Sequence, residues 1–491
     1  MAEVMGDTAK GGPVTPKEVL FVTAVAATTV LNGQVNGWGA VLPKLQEDTR
    51  YFTVTDEDVS WLVSLASITG LLITLVSGPL IEYFGPKRLL LSTLIPGFGC
   101  WFLMSFTPYL SLLYVGRAGT ASSAIFLSTI VQPLLAELSP VKIRGLVSTF
   151  PEISGSVGML LSFVLAYLMA WDVATAVSAA PLIPAILLMF FVPESPYWLV
   201  RRGRVDDARS ALHRLRGPKA NIAEELSAIM STPTCTQASV RDQFVELRKS
   251  QNVRPVMLLL SLFVLRELGG RNAIFQYTVY VFRKADVEMD AFTCTILVGV
   301  TRLLCTSVSA STLDRVGRRP LLLVTATVCA VSEAVSGIFL HLELPGASWV
   351  PLVAVLTFVA SYGIGLGPVP WVYLGELLPN PVRSLGVSIV TFFYIVTLFG
   401  VNYTFLKIIS YLGLGMTFMI FATCNLVLAA ITWQWIPESR GVTLQELEQA
   451  FSQQAAPPKE KEEAPLPTPE NPPITHSVPE EGICRGFDTK E

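Results

Sequence analysis

The sequence predicts an all-α membrane protein with twelve spanning helices in two related six-helix bundles. Three observations carry this. The 491 residues are 51% hydrophobic and only 15% charged, with mean hydropathy +0.53, whereas soluble domains carry about 25% charge. The apolar residues run in stretches close to the ~20 needed to cross a bilayer. Three polar motifs also recur at nearly constant distance along the chain. A soluble enzyme of this length would need roughly three domains with charged surfaces, so that class is excluded, as are a nucleic-acid binder and a disordered scaffold. The net charge of −3 offers no excess for binding polyanions.

The N-terminal segment 1–18 carries Glu3, Asp7, Lys10, Lys17 and Glu18 and has no apolar core, so it does not read as a signal peptide. The first apolar run reads as an anchor that stays in place. Twelve spans follow: 19–43, 58–81, 89–107, 111–135, 146–170, 174–192, 253–282, 290–313, 320–342, 349–375, 385–411 and 413–436. This divides the chain into a bundle over 19–192, a polar loop over 193–252, a bundle over 253–436 and a tail over 437–491. The loop has helix formers and charge pairs at helical spacing in Val205-Asp-Asp-Ala-Arg209 and Ala223-Glu-Glu-Leu226. The tail opens with a short helical piece, Leu444 to Phe451, and from Ala455 is rich in Pro, Glu and Lys. Such a composition cannot bury a core.

Lysine and arginine set the orientation. One set of connections holds Lys87-Arg88, Lys142 with Arg144, Arg201-Arg202, Arg315 with Arg318-Arg319, and Arg383. The alternate connections are poor in base, Arg283-Lys284 excepted. Both termini and the loop are therefore expected in the cytosol, with the chain most at home in the plasma membrane.

The repeats lie on the base-rich connections. Glu82-Tyr-Phe-Gly85-Pro-Lys87-Arg88 matches Asp314-Arg315-Val-Gly317-Arg318-Arg319, and Glu137-Leu-Ser-Pro140 with Arg144 matches Glu376-Leu-Leu-Pro379 with Arg383. Pro193-Glu194-Ser195 matches Pro437-Glu438-Ser439. Duplicated bundles imply a central cavity opened alternately to each side. An acid, a glycine turn and paired bases can latch helix ends by ion pairs that hold one access state and break in the other.

With Gly367-Pro-Val-Pro-Trp371, Pro193-Glu-Ser-Pro-Tyr-Trp198 and Val115-Gly-Arg117, these motifs resemble the sugar porter family of the major facilitator superfamily from the first span to Gly441. Within it the chain is most similar to arthropod facilitated trehalose transporter-like proteins. The resemblance implies alternating access for a hexose or trehalose-like sugar, no enzymatic activity, no cofactor and no metal. The expected partners are a small solute and the lipid bilayer, with no nucleic acid and no obligate protein partner.

The resemblance also places the solute site, where this chain departs from the family. The seventh span usually reads Gln-Gln-x-x-Gly-x-Asn; here it reads Arg266-Glu267-Leu-Gly-Gly270-Arg271-Asn272. Glu152 stands at the glutamine position of the fifth span and Arg302 at the asparagine position of the eighth. The Asn-Trp pair of the eleventh span is absent, with Tyr394 nearby, while Trp371 matches. In the first span Gln34 and Asn36 offer polar groups.

An amide both donates to and accepts from a sugar hydroxyl, whereas ionised Glu only accepts and Arg only donates. A charge at bilayer depth costs at least about 2.5–3.5 kcal/mol, so it should face a wet cavity or a partner. Three readings stand open. Glu and Arg pair across the two bundles, or the surplus positive charge receives an anionic solute, or some arginines lie shallow and snorkel. Glu267 and Arg271 are spaced to pair along one helix face.

Symporters of the family place an acid in the first span near the arginine of the fourth. Arg117 is present but Leu31–Trp38 holds no acid, which favours facilitated diffusion, with Glu152 the alternative proton carrier. An organic anion or polyol, or a receptor that binds without transporting, are the competing functions. Asn402-Tyr-Thr404 matches a glycosylation sequence inside a span, Glu333 has no assigned role, and the cysteines and histidines show no metal spacing.

Overall fold

The computed structural model describes residues 16–139, 147, 149–217, 222–231, 240–343, 347–379 and 382–440. Arg144 and the helical piece expected at 444–451 lie outside the described residues, and for Asp314 only the backbone is described.

Ten helices among the described residues are long and apolar enough to span a membrane. In chain order the first six are α1 (Lys17–Glu47), α2 (Asp56–Phe84), α3 (Pro86–Phe106), α4 (Leu110–Leu138), α5 (Phe150–Leu168) and α6 (Trp171–Phe191). The seventh crossing is not among the ten because it is broken and charged. It consists of Ser250–Leu268, Arg271–Gln276 and Thr278–Lys284, together α7. Then come α8 (Ala291–Val316), α9 (Arg318–His341) and α10 (Val350–Glu376). The last apolar helix, Arg383–Trp435, is two crossings joined at Gly413, whose φ of 82° is not helical. Residues 383–412 form α11 and 414–435 form α12. Among the described residues the count is therefore twelve.

The packing repeats with a period of six helices. The two halves meet where α2 lies on α11 and α5 lies on α8, pairings that exchange when every helix number is shifted by six. Trp61 of α2 sits 5.0 Å from the Tyr403 ring and 6.3 Å from Phe399. Within the halves, α3 packs on α4 as α9 does on α10.

The repeated base-rich motif forms the same local structure twice. Gly85 and Gly317, at φ 89° and 97°, end α2 and α8 in a backbone conformation that a side chain would strain. Each turn delivers its next helix to a carboxylate from far along the chain. The Glu194 carboxylate accepts from the Lys87 backbone N–H at 2.8 Å. The Glu438 carboxylate accepts from the backbone N–H groups of Arg318 and Arg319, both at 3.0 Å. A carboxylate at a helix start satisfies orphan donors and meets the positive end of the helix dipole.

Burial works to raise the Glu438 pKa, but four backbone N–H donors, those of Arg440, Arg318, Arg319 and Ser439, hold it below the ordinary value. Its stabilisation is therefore present above the unfolded-state pKa and fades as pH falls through the lower folded-state value. Glu438→Ala is expected to cost about 1–2 kcal/mol, as loss of a strong helix cap does. The check is the melting temperature of purified protein near neutral pH and in acid, with the gap to wild type shrinking in acid.

The loop helices Pro196–Arg201, Val205–Arg216 and Ile222–Ser231 pack Trp198, Leu199, Leu212 and Leu226 into a small core of their own. Arg216 ties this unit to the bundle. It pairs with Glu18 at 2.7 Å and Glu225 at 2.8 Å, and donates to the Leu138 carbonyl at the end of α4 at 3.0 Å.

Candidate functional site

The break in α7 organises the site. Gly269 and Gly270 interrupt the helix, and Gly270 takes φ 74° in the left-handed region. Arg266 and Glu267 therefore close one helical segment while Arg271 and Asn272 open the next. Glu267 is fully buried. Its Oε1 lies 3.1 Å from Arg266 Nη2 and its Oε2 lies 3.1 Å from Arg271 Nη2. One carboxylate thus neutralises one of two guanidinium groups, and the trio keeps one positive charge. The pairing runs within α7 and not across the halves: the break folds the three side chains together before any distant helix is needed.

Arg266 fills an aromatic box. Its guanidinium carbon lies 5.4 Å from the ring centre of Phe263, 5.7 Å from Trp371, and 5.9 Å from both Tyr362 and Tyr394. Such stacking offsets part of the desolvation of a buried guanidinium. Nη1 also lies 3.3 Å from the Gly367 carbonyl of α10. Arg271 covers the Tyr362 ring at 5.6 Å.

Arg302 sits at the seam of α8 and α5. Its guanidinium covers Phe275 at 4.6 Å, and Nε lies 3.5 Å from Ser156 Oγ. No carboxylate among the described residues is within ion-pair distance of it. Glu152 is exposed in the first turn of α5 as described. Asn272 donates to Asn402 of α11 at 3.0 Å, which buries the glycosylation-like asparagine. Trp371 is 44% exposed. Gln34 is buried with neither amide atom partnered. Asn36 turns back onto its own helix, donating to the Asn32 carbonyl at 2.9 Å. The fully buried Arg117 donates to the carbonyls of Leu62 at 3.1 Å and Val35 at 3.0 Å and covers Trp38 at 4.7 Å.

The base-rich motif residues make their described contacts within one half. Glu82 pairs with Arg201 at 3.4 Å and Arg318 with Glu376 at 3.3 Å. Glu137 accepts from the Ser195 hydroxyl, Lys87 Nζ donates to the Phe190 carbonyl at 3.0 Å, and Arg383 reaches the Leu378 carbonyl at 3.4 Å. Arg319 donates to the Trp433 carbonyl and Arg440 to that of Arg315, both at 2.5 Å, while the Arg88 side chain is exposed.

The halves close on each other at the opposite, base-poor end. There Arg283 of α7 pairs with Glu47 of α1 at 2.5 Å, and Lys44 lies 5.0 Å over Phe292. The backbone of Gly39 in α1 approaches Gln276 of α7 so closely that a Cβ would fall 1.9 Å from the Gln276 carbonyl oxygen.

Sequence reasoning missed Phe263 and Tyr362 as walls of the box and Glu47–Arg283 as a seal. The second left a signal, since Arg283 was the exception to the charge asymmetry and Glu47 lies in the base-poor connection it would have to meet. The Phe263-to-Arg266 spacing, one helical turn, also points to the box.

A family model described as sugar (and other) transporter matches residues 22–451. The chain belongs to the sugar (and other) transporter family. A relative from Culex quinquefasciatus, named facilitated trehalose transporter Tret1, is 33% identical over 403 residues, which cover 81% of this chain and 78% of that one. Another of the same name, from Aedes aegypti, is 32% identical over 89% of this chain but 56% of its own. The chain thus spans about half the length of several curated relatives it matches. The partially occluded inward open conformation of the xylose transporter XylE from E. coli superposes with TM-score 0.73 at 21% identity, over 87% of this chain and 100% of that one. The proton:xylose symporter XylE bound to 6-bromo-6-deoxy-D-glucose gives 0.68 at 22% identity, over 88% and 99%. These likenesses establish the major facilitator fold, and with the twelve crossings they make the chain a multi-pass membrane protein.

Proposed function

We propose that the protein moves a sugar of hexose or trehalose size across the plasma membrane by facilitated diffusion. In this reading the bundles 19–192 and 253–436 rock about a central site, with both termini, the 193–252 loop and the tail in the cytosol. The observation that carries the reading is the exchange symmetry of the inter-half contacts. Because α2–α11 and α5–α8 swap under the six-helix shift, closing one end and closing the other are equivalent motions of one framework. Membership of the sugar (and other) transporter family, and relatives named for trehalose, support a sugar as the solute class. Arg117 supports diffusion over symport, since it donates to backbone carbonyls and covers a tryptophan ring, and among the described residues no acid pairs with it to carry a proton.

The proposed binding residues are Gln34, Asn36, Glu152, Arg266, Glu267, Asn272, Arg302 and Trp371, with Arg117 and Arg271 as supporting charge. Trp371 offers an exposed apolar ring face. Glu82, Lys87, Arg88, Glu137, Arg144, Glu194, Asp314, Arg315, Arg318, Arg319, Glu376, Arg383 and Glu438 remain the proposed cytosolic motif; because the contacts described for it lie within one half, its role is to hold each half rigid and not, as the residue pattern suggests, to hold one access state. A second reading rests on Arg302, whose lack of a carboxylate partner leaves a guanidinium ready for an anionic solute such as a sugar acid.

Radiolabelled uptake in oocytes tests both. Saturable trehalose or glucose uptake that survives collapse of the pH gradient is the expected result, and Arg302→Asn should keep or raise it. Uptake of glucuronate without trehalose or glucose, lowered about tenfold or more by Arg302→Asn through loss of a charge-assisted pair, would replace the sugar with an anion.

A further inference from the structure

Behind the α7 break lies a carboxyl group with no part in the site described above. Glu333 of α9 is 2% exposed. Its Oε2 accepts from Asn425 Nδ2 of α12 at 2.8 Å, while its Oε1 has no partner. The crevice around it is lined by Ile274 of α7, Ser332 and Ser336 of α9, Val355 and Phe358 of α10 and Phe418 of α12. Ser336 Oγ and Asn425 Oδ1 are likewise buried without partners. Among the described residues the other titratable groups near Glu333 are the thiols of Cys329 on α9 and Cys424 on α12, and no base stands against it.

A carboxylate sealed among aliphatic and aromatic side chains with one amide partner and no counter-charge lacks what ionised groups need. The packing is too tight to admit a hydrated metal ion, but a proton needs no room. Added to Oε1, it converts an orphan acceptor into a donor within the crevice that Ser336 also lines.

Asn425 connects this group to the solute site. The same Nδ2 that donates to Glu333 lies 3.5 Å from the Gly269 carbonyl, and the Asn425 side chain packs directly against Gly269, the first residue of the break. An ionised Glu333 draws the amide toward itself and away from Gly269, whereas a neutral one shares it. We infer that Glu333 is a proton-binding site whose occupancy, relayed by Asn425, sets the bend of α7 and with it the placing of Arg266, Glu267, Arg271 and Asn272. The proton acts as an allosteric ligand and not as a driving ion, so the inference stands beside facilitated diffusion.

The test needs no solute, so its failure is separate from failure of the transport reading. Purified full-length protein in lipid nanodiscs is titrated while infrared difference spectroscopy follows the carbonyl stretch of a protonated carboxyl. In parallel, amide hydrogen exchange reports protection of residues 265–275. The expected result is a carboxyl band present at low pH, lost as pH rises, and missing from Glu333→Gln. Protection of 265–275 in wild type should match Glu333→Gln at low pH and fall about fivefold or more below it at high pH, the usual size of an allosteric coupling. Asn425→Leu should keep the band and lose the dependence of protection on pH. A band unaffected by Glu333→Gln overturns the site. A band that persists at every pH at which the protein stays folded, or equal protection in wild type and Glu333→Gln throughout, overturns the switch.

Discussion

Glu267→Gln is expected to be among the most damaging single changes in the chain, costing about 3–5 kcal/mol of stability, the range for stripping the partner from a buried charge. The carboxylate binds Arg266 on one oxygen and Arg271 on the other, each at 3.1 Å, and it is fully buried. Its removal leaves two guanidinium groups facing one another, and the aromatic box cannot supply the missing charge. Thermal unfolding of the purified protein measures the loss. Arg266→Gln combined with Glu267→Gln restores the amide pair usual in the family and removes the caged cation. The remaining charge, Arg271, is partly exposed, at 14%, so the double variant should regain much of the stability lost by the single one. A double variant no more stable than Glu267→Gln would mean that the trio is not an interdependent unit. A glutamine that melts within about 0.5 kcal/mol of wild type, as surface changes do, would mean that the charges are hydrated.

The sequence made some of this site legible and hid the rest for a physical reason. Charge patterning, apolar length and the repeated Glu-Gly-Lys/Arg motifs are local, and they specify spans, orientation and duplication without knowledge of packing. Gly269-Gly270 likewise announces a break, and Glu267 with Arg271 announces a pair. What stayed hidden depends on rotation about helix axes. Asn36 and Gln34 are two residues apart, yet one folds back onto Asn32 while the other is buried with no partner. Phe263, Tyr362 and Tyr394 come from three crossings, and only their assembly shows that Arg266 occupies a box. Glu333 carries no signal in the residue pattern, and only the packing of α9 on α12 brings it to Asn425. The base-rich motif was expected to work through side-chain ion pairs. Glu194 and Glu438 instead accept from backbone N–H groups, which no residue-type pattern displays.

Gly39→Ala is expected to shift the protein out of the conformation seen here and to stall transport. The added Cβ would stand 1.9 Å from the Gln276 carbonyl oxygen and 2.7 Å from its carbonyl carbon. Both obstacles are backbone, so no rotamer change relieves the clash. The contact joins α1 of one half to α7 of the other, about two helical turns from the Glu47–Arg283 pair, and is expected to part when the base-poor end opens. Overpacking costs about 1–3 kcal/mol where the surroundings can yield, which converts to a roughly 5- to 150-fold shift against the shut conformer. The fold within each half carries no part of the clash, so melting should change little while the balance of access states changes greatly. Ser60, buried on α2 at the base-poor end, supplies a reporter. In a background free of other reactive thiols, Ser60→Cys should react slowly with a polar maleimide and at least about fivefold faster once Gly39→Ala is added. Solute uptake should fall by about the same factor or more, because a carrier confined to one access state cannot complete its cycle. Unchanged labelling with normal uptake would show that α1 and α7 part by a motion that leaves Gly39 and Gln276 untouched.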